Sequence, residues 1–349
     1  MDFNHFLSAY YPDKGYGGDR LYADMIGQAK VAERLGFRGV TIPEHHLINI
    51  LLVPDPLQMA VKVASVTQRV EIITSVCVLP IHDMRTFAGA AVQADILCDG
   101  RLILGVGRGA FGYETARMGV PLEQTREKFD ESLDLLMALH DREEVGWAGK
   151  YYNFAPITVM PRPVVKGRPA IMMAALVPEA IYHSAKRGFH IQTTPLNATF
   201  ETMKGQVDAF NRGKAELGDA GRHLRLALSR VTMCARDQAQ ADRLLEHAAA
   251  YYRRFDNVFT GPGIVDHGMI RDIPGTRTLE QLRENLLICT ASEMIDKLAV
   301  YAELGVDDFI TSTNLGVPQE ETVEAMERFA SEVMPQFKKR PMVNRAAAG

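Results

Sequence analysis

The sequence predicts an α/β protein built as a single (β/α)8 barrel, or TIM barrel, and three observations support this prediction. Short apolar and β-branched runs alternate with segments of helical periodicity along the 349-residue chain. Eight such runs occur, and the composition does not shift between them. Alternation of strands and helices is typical of a parallel sheet, and eight repeating units favour a closed barrel over an open sheet.

The predicted strands are short, and predicted helices separate them. The strands cover residues 3–10, 37–42, 70–79, 101–107, 169–176, 189–195, 224–235 and 307–313. Helices are predicted where apolar side chains fall on one face, as in the first helix, which aligns Tyr22, Met25, Ile26, Ala29 and Ala32. Further helices are predicted at residues 56–66, 86–97, 124–139, 201–217, 238–255 and 292–304, with one ending near residue 187 and another closing the chain.

Two segments depart from the repeat. Residues 145–161 are polar and are predicted to form a hairpin that decorates the barrel. Residues 256–284 hold four glycines and two prolines and exceed the usual length of a connection, which is typical of lids and binding loops. We therefore expect a lid-like, substrate-binding insertion before the last βα unit of one domain spanning residues 1–349, with a flexible tail at residues 340–349.

Composition and charge argue against several classes of protein. The chain has 39 basic and 43 acidic residues, a net charge of −4, and no basic field that would favour nucleic acid or an anionic membrane. No apolar run reaches the roughly 18 residues of a membrane span, and the amino terminus lacks the basic start of a secretory signal. The four cysteines form no C-x-x-C pair, which argues against a zinc ribbon or a disulfide scaffold. We expect a cytoplasmic enzyme.

In a barrel of this kind the chemistry lies at the carboxyl ends of the strands, and the second strand ends in Glu44-His45-His46. Adjacent side chains on an extended segment point to opposite sides, so at most one of the two histidines faces the barrel mouth. Histidine transfers protons near neutral pH, which favours a catalytic or cofactor-contacting role over that of a hydrogen-bonded strand end. Only His5 and His82 could complete a metal site, and no metal is predicted.

A glycine-rich stretch, GVGRGAFG, ends the fourth strand at residues 105–112. It matches G-x-G-x-x-G, but the next predicted helix begins only at residue 124, too far away for a dinucleotide-binding turn. We interpret the stretch as a loop whose backbone amides approach an anion, with charge supplied by Arg108 and by Arg126 in the next helix. The alternative is that both arginines only form surface ion pairs.

Five motifs, in order along nearly the whole chain, carry a resemblance to a known family. They are FNHFLSAYYP, AERLGFRGVTIPEHH, SVCVLPIHDMRTFAGAAVQADILCDGRLILGVGRG, TREKFDESLDLLMAL and LLICTASEMIDKLAVYAELGVDDFITS. Together they resemble the bacterial luciferase-like flavin monooxygenases, and in particular the luciferase α subunit and the diketocamphane-type Baeyer–Villiger monooxygenases. The resemblance implies a luciferase-like (β/α)8 barrel that binds FMN, in agreement with the eight predicted strands.

The resemblance also implies roles for particular positions. His45 would lie beside the flavin and be needed for activity. A non-prolyl cis peptide would join Ser75 and Val76 against the isoalloxazine ring. Arg108 and Arg126, with the backbone of Ala110 between them, would hold the FMN phosphate, which favours phosphate binding over the ion-pair alternative.

One segment departs from the family pattern. After the fifth strand, luciferases place a Glu-Ser pair and a nearby threonine that complete the phosphate site, whereas this chain has MAALVPEA at residues 173–180. The backbone amides of Ala175, Leu176 and Val177 remain as expected donors, but Pro178 has no N–H. Phosphate binding would then depend more on the arginines, or the cofactor would differ.

The resemblance implies a two-component monooxygenase, in which a separate flavin reductase supplies reduced FMN and oxygen adds to form a C4a-peroxyflavin. An apolar small molecule, above all a ketone or aldehyde, would be oxygenated at a mouth formed by His5, Tyr10, Phe111 and the 256–284 insertion. Hydroxylation and ring opening are alternative reactions.

Two other functions stay open. An F420-dependent oxidoreductase of the same superfamily would transfer hydride without oxygen, and the altered phosphate segment favours it. A non-catalytic flavin-binding protein would retain flavin without an oxygen-dependent product, but the presence of Glu44-His45-His46 argues against it. Since relatives are commonly dimers or tetramers, a homodimer or homotetramer is expected.

Overall fold

The computed structural model describes residues 1–7, 9–163, 167–194, 200–275, 277–313 and 315–337. Eight parallel strands pair in chain order, and the ring closes because the last strand pairs with the first. The barrel strands are β1 (Asp2–Phe6), β2 (Gly39–Ile42), β3 (Glu71–Thr74), β4 (Leu102–Gly107), β5 (Ala170–Ala174), β6 (His190–Thr193), β7 (Leu226–Ala235) and β8 (Asp308–Ser312). The predicted barrel and each of its eight strands are confirmed.

Helices surround the barrel and cover its outer face. They are α1 (Gly18–Leu35), α2 (Pro56–Ala64), α3 (Met84–Leu97), α4 (Gly112–Arg117), α5 (Thr125–Asp141), α6 (Pro178–Lys186), α7 (Phe200–Glu216), α8 (Gln238–Phe259), α9 (Leu279–Asn285), α10 (Ala291–Leu304), α11 (Gln319–Arg328) and α12 (Met334–Phe337). Local signals set their ends: Asp55 caps α2, and Gly36 ends α1 with a left-handed φ of 81°. Within the described residues, no helix has both the length and the apolar character that crossing a membrane requires.

An ion-pair network closes the amino-terminal end of the barrel. Arg225 donates to both carboxylate oxygens of the buried Asp308 at 2.6 Å and to Asp2 at 2.8 Å. Arg38 binds Glu71 of the neighbouring strand through two hydrogen bonds of 2.7 and 2.8 Å. These charges lie at the end of the barrel opposite the carboxyl ends of the strands, where active sites of such barrels are found.

The predicted polar hairpin is present and packs outside the barrel. Its strands, Val145–Ala148 and Asn153–Ile157, pair in antiparallel fashion. Glu131 of α5 holds the turn by accepting hydrogen bonds from the backbone amides of residues 150–152. The hairpin therefore decorates the barrel, as the sequence predicts.

Residues 256–284 form a structured insertion, and the prediction of one long loop is wrong in detail. The segment begins inside α8, continues as a short hairpin of Val265–Asp266 with Met269–Ile270, and ends in α9. The Asn257 amide group donates to the carbonyls of residues 264 and 271, and Asn49 accepts from the Ile270 amide at 2.9 Å. The insertion is thus fastened to the loop after β2.

Another strand, Leu287–Thr290, pairs with the second half of β7 and was not predicted. A short apolar run between two helices cannot be told from a buried helix segment by its periodicity alone. The predicted flexible tail at residues 340–349 lies outside the described residues.

Candidate active site

His45 lies at the carboxyl end of the barrel in a fixed orientation. Its Nδ1 atom is 2.8 Å from Glu114 Oε2, and its ring stacks on Phe111 with centroids 4.3 Å apart. Since a carboxylate only accepts hydrogen bonds, Nδ1 carries the proton, and Nε2 has no protein partner among the described residues. Glu114 also accepts the backbone amide of His46. The sequence analysis missed Glu114, whose only local signal is a carboxylate in the first turn of a short helix after the glycine-rich loop.

His46 points to a different carboxylate, as expected for neighbouring residues on an extended segment. Its Nε2 atom donates to Glu44 Oε1 at 2.9 Å, and His82 Nε2 donates to the same oxygen at 2.7 Å. Burial would raise the pKa of Glu44, but the hydrogen bonds from both histidines and from the Val78 amide outweigh it and lower that pKa. The hydrogen bond to Glu44 raises the pKa of His46, against a smaller effect of burial.

The His46–Glu44 pair predicts a pH-dependent stability. The raised pKa of His46 contributes stability that is fully present below its unfolded value of about 6.5 and is lost as pH rises through its folded value. The lowered pKa of Glu44 contributes stability that is present above roughly 4.3 and is lost as pH falls through its folded value. We therefore expect His46→Gln to be more destabilising at about pH 5.5 than at about pH 8.5 in urea unfolding. Equal losses in the free energy of unfolding at both pH values would contradict this pairing.

The loop after β3 has the backbone form that the family resemblance implies, since the peptide between Ser75 and Val76 is cis. Ser75 accepts a hydrogen bond from the Gln192 amide group across the barrel mouth. The Gln192 Oε1 atom is buried without a partner in the described part of the chain. The Val76 side chain packs against Gly107, and a Cβ atom added to Gly107 would lie 2.6 Å from it. Only glycine therefore fits at position 107. Polar atoms thus line the floor of the mouth next to this peptide.

The structure places Arg108 directly after β4 and Arg126 in the first turn of α5, both at the carboxyl end of the barrel. Both side chains are exposed, and in the described ranges neither guanidinium makes an ion pair or a hydrogen bond. Asp130, one turn along α5, is nevertheless close enough to interact electrostatically with Arg126. Ala110 is also exposed, and Gly109 before it has a φ of +79°, which turns this loop back toward the loop after β3.

The segment after β5 differs from the prediction at one position. The Ala175 amide donates to the Gln192 carbonyl at 3.0 Å, so the expectation that it binds a phosphate is wrong: the barrel ladder already uses this donor. The side chains of Leu176 and Val177 are 50% and 59% exposed, and α6 begins immediately afterwards at Pro178. Amides before and within the first turn of α6 remain available at this end of the barrel.

Two of the three predicted substrate residues lie in one apolar cluster at the mouth. Tyr10 packs edge-on against Tyr251 with ring centroids 5.3 Å apart, and Phe111 packs against Phe259 at 4.1 Å. Both partners belong to α8, so this helix supplies the aromatic wall of the mouth.

His5 lies elsewhere, and its assignment to the mouth is wrong. The alternation of β1 turns Phe6 into the barrel interior and His5 outward, where its Nε2 donates to Gln28 of α1 at 3.0 Å. His5 is completely buried, and this burial lowers its pKa to about 4. A neutral histidine in the helix layer cannot contact a substrate at the mouth.

The sequence model of the luciferase-like monooxygenases matches residues 1–308 of this chain. The chain belongs to the luciferase-like monooxygenase family. It is thus an enzyme of the family that the motifs predict, and both the predicted family and its barrel are confirmed.

Individual relatives of this luciferase-like protein differ in cofactor. It is 27% identical over 327 residues to the oxygenase component of the flavin-dependent trigonelline monooxygenase of Acinetobacter baylyi, covering 91% of this chain and 90% of that protein. It resembles the FMN complex of the oxygenating constituent of 3,6-diketocamphane monooxygenase from Pseudomonas putida, with a TM-score of 0.77, 17% identity, and coverage of 97% and 100%. An F420-dependent secondary alcohol dehydrogenase matches with a TM-score of 0.76, 18% identity, and coverage of 97% and 99%. At such identities the two solved structures establish the fold alone.

Proposed function

We propose that this chain is the oxygenase component of a two-component flavin monooxygenase. It would use reduced FMN from a separate reductase, together with oxygen, to oxygenate an apolar ketone or aldehyde. The observation that carries this proposal is the His45–Glu114 pair beside the aromatic wall of the mouth. A histidine oriented by a carboxylate and shielded by apolar rings can exchange a proton where water is scarce.

The residues present fit FMN. Arg108 and Arg126 are exposed and form no salt bridge among the described residues. Arg108 follows β4 and Arg126 lies in the first turn of α5, so both are at the same end of the barrel. A phosphate would supply the acceptors that these two cations lack. A polar ring edge beside Ser75 would satisfy the buried, unpartnered Oε1 atom of Gln192.

Each part of the mouth would have a separate task. Arg108 and Arg126 would bind the phosphate and fix the cofactor's depth in the mouth. His45 would hold or accept a proton at Nε2, while Glu114 keeps Nδ1–H in place and stabilises the imidazolium. Tyr10, Phe111 and the α8 rings would exclude water. Reduced FMN, when bound, would supply the activation of oxygen.

The separate reductase is supported by the relative that is named as an oxygenase component. Reduced flavin would therefore come from another protein.

A second candidate function is hydride transfer with reduced F420. It is favoured by the segment after β5, where no hydroxyl side chain is present and the Ala175 amide is already used. The F420-dependent structural neighbour is consistent with this cofactor on the same barrel.

The test is an anaerobic titration with reduced FMN and, in parallel, reduced F420, followed by mixing with isotopically labelled oxygen and a panel of apolar ketones and aldehydes. We expect tighter binding of reduced FMN and incorporation of label into an ester or acid. Preference for F420 with no labelled product would refute the monooxygenase in favour of hydride transfer. Tight flavin binding with no product from any substrate would favour the non-catalytic alternative.

A further inference from the structure

We propose that Glu44 is a positioning residue for the flavin site: its carboxylate fixes the loop that carries Ser75 and Val76 relative to the segment that carries His45. This inference rests on the proposed function, because it concerns the site that reduced FMN would occupy.

The Glu44 side chain is completely buried and accepts three hydrogen bonds. Its Oε1 atom accepts from His46 and His82 at 2.9 and 2.7 Å, and Oε2 accepts from the Val78 amide at 2.6 Å. A desolvated carboxylate with three donors has one favoured position, since losing any donor leaves a buried polar atom without a partner.

These hydrogen bonds join the segments after β2 and β3 beyond the point where the backbone pairing of the two strands ends. Pairing of β2 with β3 ends at Ile42 and Thr74, and the last backbone hydrogen bond runs from the Ser75 amide to the Ile42 carbonyl at 2.6 Å. Beyond this point no backbone hydrogen bond joins the two segments in the described ranges. Glu44 bridges them, because His46 belongs to the first segment and Val78 to the second.

The loop after β3 is also tied on its other side. The short strand Cys77–Val78 pairs with Val106 and Gly107 of β4. Residues 77 and 78, which follow the peptide between Ser75 and Val76, are therefore held on one side by the β4 ladder and on the other by the Glu44 carboxylate. Removing the carboxylate would let this peptide move relative to His45.

His82 is the member of this group that reaches the outer side of the barrel. Its side chain is 28% exposed. It lines a cavity of about 320 Å³ together with Asp83, Arg85, Lys128, Tyr151 and Phe154. His82 can therefore be replaced without placing a new side chain in the mouth.

Few other charged or titratable groups lie near Glu44 and His46. The buried Cys77 thiol interacts with the Glu44 carboxylate, and Glu114 and Asp55 face His46. Glu44→Gln keeps the side-chain shape and removes the charge. One of its two terminal atoms becomes an NH2 group. This NH2 group faces either the Val78 N–H, which costs that hydrogen bond, or the two histidines, which must then switch to the tautomer whose Nε2 accepts.

The chain offers a matched control at the opposite end of β3. Glu33 of α1 accepts the backbone amides of residues 68, 69 and 70 at 2.8, 2.6 and 3.2 Å, just before β3 begins. Glu33→Gln thus removes a carboxylate with three donors, as Glu44→Gln does, but far from the mouth. A loss common to both variants reflects stability alone.

The first readout needs no flavin. In hydrogen exchange followed by mass spectrometry, residues 75–82 are expected to exchange about tenfold faster or more in Glu44→Gln, and at the wild-type rate in Glu33→Gln. In NMR titrations, the His46 imidazole is expected to titrate at lower pH in Glu44→Gln, because the carboxylate that raises its pKa is gone.

The second readout is the affinity for reduced FMN. We expect about a tenfold loss in Glu44→Gln and no loss in Glu33→Gln. His82→Gln keeps an N–H donor for Glu44 and is expected to bind FMN like wild type, whereas His82→Ala is expected to bind it more weakly. If Glu44→Gln does not fold, the two His82 variants carry the same test.

Wild-type exchange at residues 75–82 together with unchanged FMN affinity in Glu44→Gln would overturn the inference. Equal losses of affinity in Glu44→Gln and Glu33→Gln would also overturn it. If the wild-type protein binds no reduced FMN, the proposed function fails, and the exchange rates alone then decide whether Glu44 holds the loop.

Discussion

The His45→Ala variant is expected to bind reduced FMN within a few-fold of wild type but to lose product formation by about 10²- to 10⁴-fold. In the proposed function the arginines hold the phosphate, whereas the His45 ring, oriented by Glu114, exchanges the proton. Oxygen should still be consumed and should leave as hydrogen peroxide. The measurement is product and hydrogen peroxide formed per oxygen consumed.

The Glu114→Gln variant tests the His45–Glu114 pair by changing the carboxylate instead of the histidine. A neutral amide cannot stabilise the imidazolium and does not impose one tautomer on His45. We therefore expect a smaller loss of product than in His45→Ala. His183→Ala, at an exposed histidine on α6, is the control and should behave like wild type. An unchanged product yield in His45→Ala would refute its role.

The Arg108→Ala variant is expected to lower the affinity for reduced FMN by about ten- to hundred-fold and to leave the affinity for reduced riboflavin nearly unchanged. The two flavins differ only in the phosphate, and a charge-assisted contact to that group contributes about 1.5–3 kcal/mol. Arg126→Ala is expected to show the same selectivity. Anaerobic fluorescence titration with both flavins measures it.

The control for this prediction is Arg187→Ala. Arg187 follows α6 and is also exposed, but it pairs with Asp134 and lies at the far end of that helix from the mouth. The Arg187→Ala variant should keep the wild-type affinity for both reduced FMN and reduced riboflavin. This result would exclude a general effect of removing a positive charge. Equal losses for FMN and riboflavin in Arg108→Ala would show that the arginine does not contact the phosphate.

The barrel and its orientation follow from local sequence. Apolar periodicity and helix-ending glycines such as Gly36 are properties of neighbouring residues, so they identify eight strands without knowledge of the fold. Strand ends locate the mouth, which is why His45 and Arg108 are recognisable as candidates. The short elements of the 256–284 insertion are not recognisable in this way, because two-residue strands carry no period.

Local patterns in the sequence suffice to predict the fold class, the family and the end of the barrel where chemistry takes place. Which groups meet there depends on the tertiary structure. His45 and Glu114 are 69 residues apart, the strand pleat turns His5 into the helix layer, and the ladder uses the Ala175 amide. Each of these depends on contacts between distant segments, and no local pattern specifies them.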